Sequence, residues 1–188
     1  MNIALFIIDM QNDFVQEDGV MEVPGIRKHL SKFKNFIIEC RKKGVLIIYT
    51  RYCFDPKNNA IELTLFPQLE KEGLRQGTKG WQIVNEIRPE KNDLMIDKTR
   101  YDAFFKTNLK KVLEKNKVDT VIITGTKTNV CCESTARSAM EHDYHVLFCS
   151  DLTFCGDKEG QKATLKIMKS NFGKVMASKE VLASITKK

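Results

Sequence analysis

The chain has 188 residues, 42% hydrophobic and 9% aromatic, and 31 basic against 24 acidic residues give a net charge of +7. That length supports one domain, spanning residues 1–188 and burying about 70% of its unfolded surface, with no need of a disulfide or metal staple. No apolar run reaches membrane length, and the positive excess is dispersed lysine rather than clustered arginine, so membrane and nucleic-acid partners are not expected and a small-molecule substrate is. The six cysteines follow no framework or CxxC spacing, and Met1 to Asp9 runs straight into a strand instead of a secretory leader. A reduced, cytoplasmic protein is expected.

Ile3 to Ile8 is a continuous apolar run and reads as a central strand that stops at Asp9. Ile26 to Lys43 carries Ile26, Leu30, Phe33, Ile37 and Cys40 on one helical stripe, closed by Gly44. Val45 to Tyr49 is a second buried strand ending at Thr50-Arg51. Residues 52–80 hold two prolines and three glycines in an irregular connection, long enough to serve as a lid or an oligomer contact. Trp81 to Ile87 reads as a short helix stopped before Pro89, Asp93 to Asp97 as a third strand followed by Lys98, and Thr107 to Asn116 as an amphipathic helix. Thr120 to Gly125 is the fourth strand, Asn129 to Glu141 its helix, and His145 to Cys149 the fifth strand. Lys158 to Ser170 is a helix, Lys174 to Met176 a short sixth strand, and Lys179 to Ile185 a closing helix.

Strands alternating with helices predict an α/β fold: a three-layer, doubly wound, mostly parallel six-stranded sheet with helices on both faces. The chain lacks GxGxxG after its first strand and GxxxxGK[ST] anywhere, so the dinucleotide and P-loop readings have no support.

Three chemistry-bearing residues stand at ends of buried strands: Asp9, Lys98 and Cys131. The carboxyl ends of parallel strands share one edge, so a carboxylate, an ammonium and a thiol from distant positions can converge there. Each has a plain alternative: a turn cap for Asp9, surface charge for Lys98, packing for Cys131. Thr128 or Asn129 is expected to cap the following helix, placing Cys131 in its first turn, where free N–H groups and the helix dipole favour thiolate. Only His29, His142 and His145 could supply an imidazole base, and the last two lie at the opposite sheet edge. Asp9 is therefore the better base, and the same scarcity argues against a zinc site.

Ile7-Ile8-Asp9-Met10-Gln11-Asn12-Asp13-Phe14, Lys98-Thr99-Arg100-Tyr101-Asp102-Ala103-Phe104-Phe105 and Gly125-Thr126-Lys127-Thr128-Asn129-Val130-Cys131-Cys132-Glu133 together resemble the isochorismatase-like cysteine hydrolases nearly end to end. That superfamily includes nicotinamidases, N-carbamoylsarcosine amidohydrolase and ureidoacrylate amidohydrolase. The resemblance implies Asp9, Lys98 and Cys131 as catalytic residues, with Cys131 preferred over Cys132 because the nucleophile follows Thr-Asn-x. It also implies a cis peptide at Thr126-Lys127 and an oxyanion hole from the backbone N–H groups of Lys127 and Cys131. Hydrolysis of an amide, carbamoyl or ureido C–N bond through a cysteine acyl-enzyme is the expected activity, in a homo-oligomer (dimer or tetramer), with no cofactor. No metal is expected either, since Tyr52-Cys53-Phe54 stands where metal-dependent nicotinamidases carry Asp-x-His. Phe14, Arg51, Trp81 and Tyr101 are candidate substrate-binding walls, Arg51 as a carboxylate partner or a structural ion pair. The alternatives are vinyl-ether hydrolysis of the isochorismatase kind and a catalytically silent interaction domain.

Overall fold

The computed structural model describes residues 2–57 and 60–185. In chain order its elements are β1 (Ile3–Ile8), α1 (Asn12–Val15), α2 (Leu30–Lys42), β2 (Leu46–Tyr52), β3 (Leu94–Lys98), α3 (Leu109–Lys115), β4 (Thr120–Thr126), α4 (Glu133–Glu141), β5 (His145–Phe154), α5 (Lys158–Asn171), β6 (Lys174–Met176) and α6 (Ser178–Ser184). The six strands form one sheet in the order β3-β2-β1-β4-β5-β6, and every pairing is parallel. The chain winds outward from β1 to β3, then crosses back to β4 beside β1. That reversal makes the carboxyl ends of β1 and β4 the switch point where doubly wound sheets open a crevice.

β1 is buried along its whole length because helices cover both sheet faces. Leu5 and Ile7 join Phe33 and Ile37 of α2 and Val181 of α6 in one cluster. Ala4, Phe6 and Ile8 join Leu113 of α3, Ala136 of α4 and Met168 of α5 in the other. The period-2 alternation of one apolar strand thus feeds two cores. Gly125 lies opposite Ile8 with φ +112, and a Cβ there would sit 2.1 Å from the Ile8 carbonyl oxygen. Only glycine fits where β1 and β4 approach so closely.

Several elements differ from the sequence reading. Residues 26–29 form a 3-10 turn before α2 begins, after Gly25 turns the chain with φ +83. β5 runs on to Phe154, with a register shift between Ile123 and Gly125 that lets Gly125 pair with Thr153. No helix spans Trp81 to Ile87: only Asn85–Ile87 makes a 3-10 turn. Ile83 instead bridges antiparallel to Gln11, and the Val84 N–H donates to the Met10 carbonyl. The apolar spacing there serves an extended segment, Gln82 to Val84, whose hydrogen bonds go to the chain after β1 in place of an internal helix. The described helices include none long and apolar enough to cross a membrane.

Candidate active site

Asp9 follows β1 directly, with φ +50, and is wholly buried. Its N–H faces Thr50 on β2, 3.2 Å from the hydroxyl and 3.3 Å from the carbonyl oxygen. The Thr50 hydroxyl in turn donates to Asp9 Oδ1 at 2.6 Å. The other oxygen, Oδ2, accepts from Lys98 Nζ at 2.6 Å, in an ion pair with both side chains fully buried. Lys98 ends β3 and also donates to the Arg100 carbonyl at 3.1 Å. Cys131 comes from beyond β4, and its thiol lies near enough to Asp9 and Lys98 for both charges to act on it. The acid, the amine and the sulfur therefore meet at the switch point, although 89 residues separate Asp9 from Lys98.

The local structure carrying Cys131 departs from the expected helix start. Thr128–Cys132 is one turn of π-helix, preceded by Lys127 without a side-chain cap, and α4 begins only at Glu133. The Thr128 hydroxyl donates to Gln161 Oε1 at 2.6 Å rather than capping. Such single π turns recur where backbone geometry must aim a side chain. The two cysteines then point differently. Cys131 lines a small cavity, whereas Cys132 is wholly buried, its thiol 3.9 Å from the Thr124 carbonyl. The Thr126–Lys127 peptide is cis, and Lys127 lines the same cavity as Cys131.

Burial acts on the Cys131 thiol against the field of the helix terminus. Burial pushes the Cys131 thiol above its usual range, the Asp9 carboxylate pushes it the same way, and Lys98 only partly opposes them. Desolvation outweighs any helix-terminal field at this depth. Burial works against the Lys98 ammonium, but the Asp9 carboxylate beside it outweighs burial and holds the amine in its charged form.

The cavity has a volume of about 50 Å³, room for a few water-sized groups. Phe14 and Tyr101 line it, as do Tyr52 and Glu62, which sequence reading missed. Arg51 and Trp81 are not among its lining residues. Arg51 pairs with Asp97, its register partner across β2 and β3, through contacts of 2.7 and 2.9 Å, and its guanidinium lies 3.6 Å over the Trp81 ring. The structural ion pair, rather than the carboxylate partner, describes Arg51. The histidines His29 and His142 pack against Phe154 and Phe104 respectively.

Comparison with known proteins gives the lineage. Residues 3–180 match the Isochorismatase domain family. The chain belongs to the isochorismatase family. It is 30% identical to a ureidoacrylate amidohydrolase of Yersinia enterocolitica, over 90% of this chain and 83% of that protein. It is 28% identical to the ureidoacrylate amidohydrolase of Rhizobium rhizogenes, over 97% of this chain and 83% of that one. Among solved structures, a cysteine hydrolase from Pseudomonas syringae superposes with a TM-score of 0.93 at 27% identity, covering 98% of this chain and 92% of the other. The relatives named for an activity in this comparison are hydrolases, of the amidohydrolase and cysteine-hydrolase kinds.

Within that family a metal would need donors near the site. Tyr52-Cys53-Phe54 offers a phenol, a thiol and a phenyl ring, and no group of three His, Cys, Asp or Glu that could hold an ion occurs among the described residues. The donor set does not fit, so no step below runs through a metal. Sequence reasoning missed Thr50, Tyr52 and Glu62 for one reason: their roles come from cross-strand and loop proximity, which periodicity does not encode. The one available signal was the polar Thr50 inside an apolar strand.

Proposed function

We propose that the protein hydrolyses an amide, carbamoyl or ureido C–N bond of a small molecule through a Cys131 acyl-enzyme. The observation that supports it most is the buried Asp9–Lys98 pair at 2.6 Å with the Cys131 thiol beside both charges. As the substrate carbonyl enters the cavity, Asp9 takes the thiol proton and sulfur forms its bond to carbon. The carbonyl electrons move to oxygen, and the N–H groups of Lys127 and Cys131 receive that charge. When the oxyanion collapses, the C–N bond breaks and Asp9 returns the proton to the departing ammonia or amine. Asp9 next takes a proton from water, hydroxide displaces sulfur, and the acid product leaves with the thiol restored. Lys98 stays charged throughout and holds Asp9 ionised at the start of each half-reaction.

Ureido acids head the substrate panel because the ureidoacrylate amidohydrolases are similar at 28–30% identity. Ammonia release from amides, carbamoyl amines and ureido acids gives the assay. Cys131→Ala should keep the fold and lose at least about a thousandfold in turnover, while Cys132→Ala should stay active. Full activity in Cys131→Ala would end the covalent reading. Cytoplasmic location and a homo-oligomer belong to the same proposal. Ile61 and Leu65, 72% and 68% exposed on the long connection, are the apolar surface that favours self-association. Light scattering returning only the 21.6 kDa monomer would reject it.

A further inference from the structure

Tyr52 ends β2, and its surroundings fix it on all sides. It is the register partner of Lys98 on the adjacent parallel strand, so both side chains leave the sheet on the same side. Arg51 and Asp97, one residue earlier on each strand, leave on the other and pair there. The Tyr52 N–H donates to Gln11 Oε1 at 2.7 Å and its carbonyl accepts from Gln11 Nε2 at 3.0 Å, so one buried amide holds the backbone from both sides. The phenol donates to the Glu62 carboxylate, and the ring stacks on Tyr101 with centroids 6.2 Å apart. Thus held, the ring centroid lies 5.0 Å from Lys98 Nζ.

We propose that Tyr52 is a positioning residue: its ring covers the face of the Lys98 ammonium left open by Asp9 and the Arg100 carbonyl, keeps water off it, and so fixes the amine against Asp9 and Cys131. An ammonium has three donors and no fork geometry, so two hydrogen bonds alone leave it free to swing. A ring face within about 6 Å of the nitrogen supplies a third, electrostatic contact that strengthens once water is gone. The groups facing Lys98 come from four elements: Asp9 after β1, Tyr52 at the end of β2, the Arg100 carbonyl after β3, and Cys131 in the π turn. Glu62 lies one step behind, on the far side of the phenol. Its bond keeps the ring from turning away and is not itself in the ammonium's shell. Cation–ring attraction needs the ring and not the hydroxyl, which gives the proposal its test.

The proposal rests on Lys98 belonging to the reacting trio, and the test separates the two ideas. Tyr52→Leu should lower turnover about tenfold with little change in KM, and Tyr52→Phe should restore most of that loss. A mere wall of the substrate cavity would move KM instead. In wild-type protein with labelled lysine, the Lys98 side-chain NMR signals should be displaced by the ring current. That displacement should survive in Tyr52→Phe and vanish in Tyr52→Leu, a readout that needs no substrate and, in the wild type, no variant that must fold. Equal turnover in the Phe and Leu variants, with Lys98→Ala inactive, overturns the role of Tyr52 alone. Lys98 signals without ring displacement in the wild type overturn it as well. Wild-type rates in Lys98→Ala would overturn the trio reading beneath it.

Discussion

Thr50 both donates to Asp9 Oδ1 and receives the Asp9 N–H, so a single hydroxyl fixes the carboxylate and the backbone behind it. One oxygen of Asp9 is thereby committed to Thr50 and the other to Lys98. Thr50→Val keeps the shape but removes the donor, leaving a buried charged oxygen with one bond fewer. A hydrogen bond to a charged group contributes about 1.5–3 kcal/mol, so stability measured by urea unfolding should fall by that amount. Turnover should fall as well, by about tenfold or more, because Asp9 loses its aim. Unchanged stability and rate would mean that Lys98 alone suffices to hold the carboxylate. At this scale the sequence revealed Asp9 and Lys98, which close strand runs, and Cys131, which follows the fourth strand across a short polar turn; that placement is visible in one dimension. Thr50, Tyr52 and Glu62 were not visible, because each acquires its role from a neighbour on another strand or loop. Arg51 was left between a substrate carboxylate and a structural ion pair for the same reason, since nothing local announces Asp97 as its register partner.

At the scale of elements, β1 and β4 carry the site between them, and their closeness depends on Gly125. The strand runs Ile3–Ile8 and Thr120–Thr126 were legible because burial on both faces demands unbroken β-branched and aliphatic residues. The helix after β4 was legible in kind but not at its start. Sequence suggested a capped first turn, whereas a π turn from Thr128 to Cys132 carries the thiol and the Thr128 hydroxyl goes to Gln161. Residues 81–87 were misread because their apolar spacing suits a helix while their backbone bonds go to Met10 and Gln11. Gly125→Ala tests the element-scale argument. The alanine would face both a left-handed φ and a clash with the Ile8 carbonyl, so β4 must withdraw from β1. The expected loss is about 3 kcal/mol or more, read as a lowered urea midpoint, and turnover should fall with it because Asp9 and Cys131 separate. A variant with wild-type midpoint would show that the two strands can spread at no cost.

Over the whole molecule, the doubly wound core encloses several thiols that titrate far from their usual range, and this sets how the protein meets alkali. All six cysteines are free. Burial raises Cys40 from 9.0 to about 12, and burial likewise raises Cys131, Cys132 and Cys149. In each case the folded chain holds its proton more tightly than the unfolded chain. The stabilisation is fully present below the unfolded value near 9 and is lost as pH climbs through the folded value. Above pH 9 each such thiol should cost about 1.4 kcal/mol of stability per pH unit. Lys98 carries the same sign but acts only from 10.5 upward, and buried Tyr49 and Tyr52 only from 10.0. Asp119 and Asp151 lie below 3.8, so their contribution is present at higher pH and disappears only in acid. Urea unfolding under reductant between pH 9 and 10 therefore isolates the thiols. The unfolding free energy should decline steeply across that window and be nearly flat from pH 6 to 8. Cys40→Ala should start lower, because a buried atom is lost, yet decline less steeply by about 1.4 kcal/mol per pH unit once the unfolded thiol is fully ionised. An identical slope in Cys40→Ala would mean that the thiol ionises as readily inside the fold as outside it, and that the core around α2 admits water.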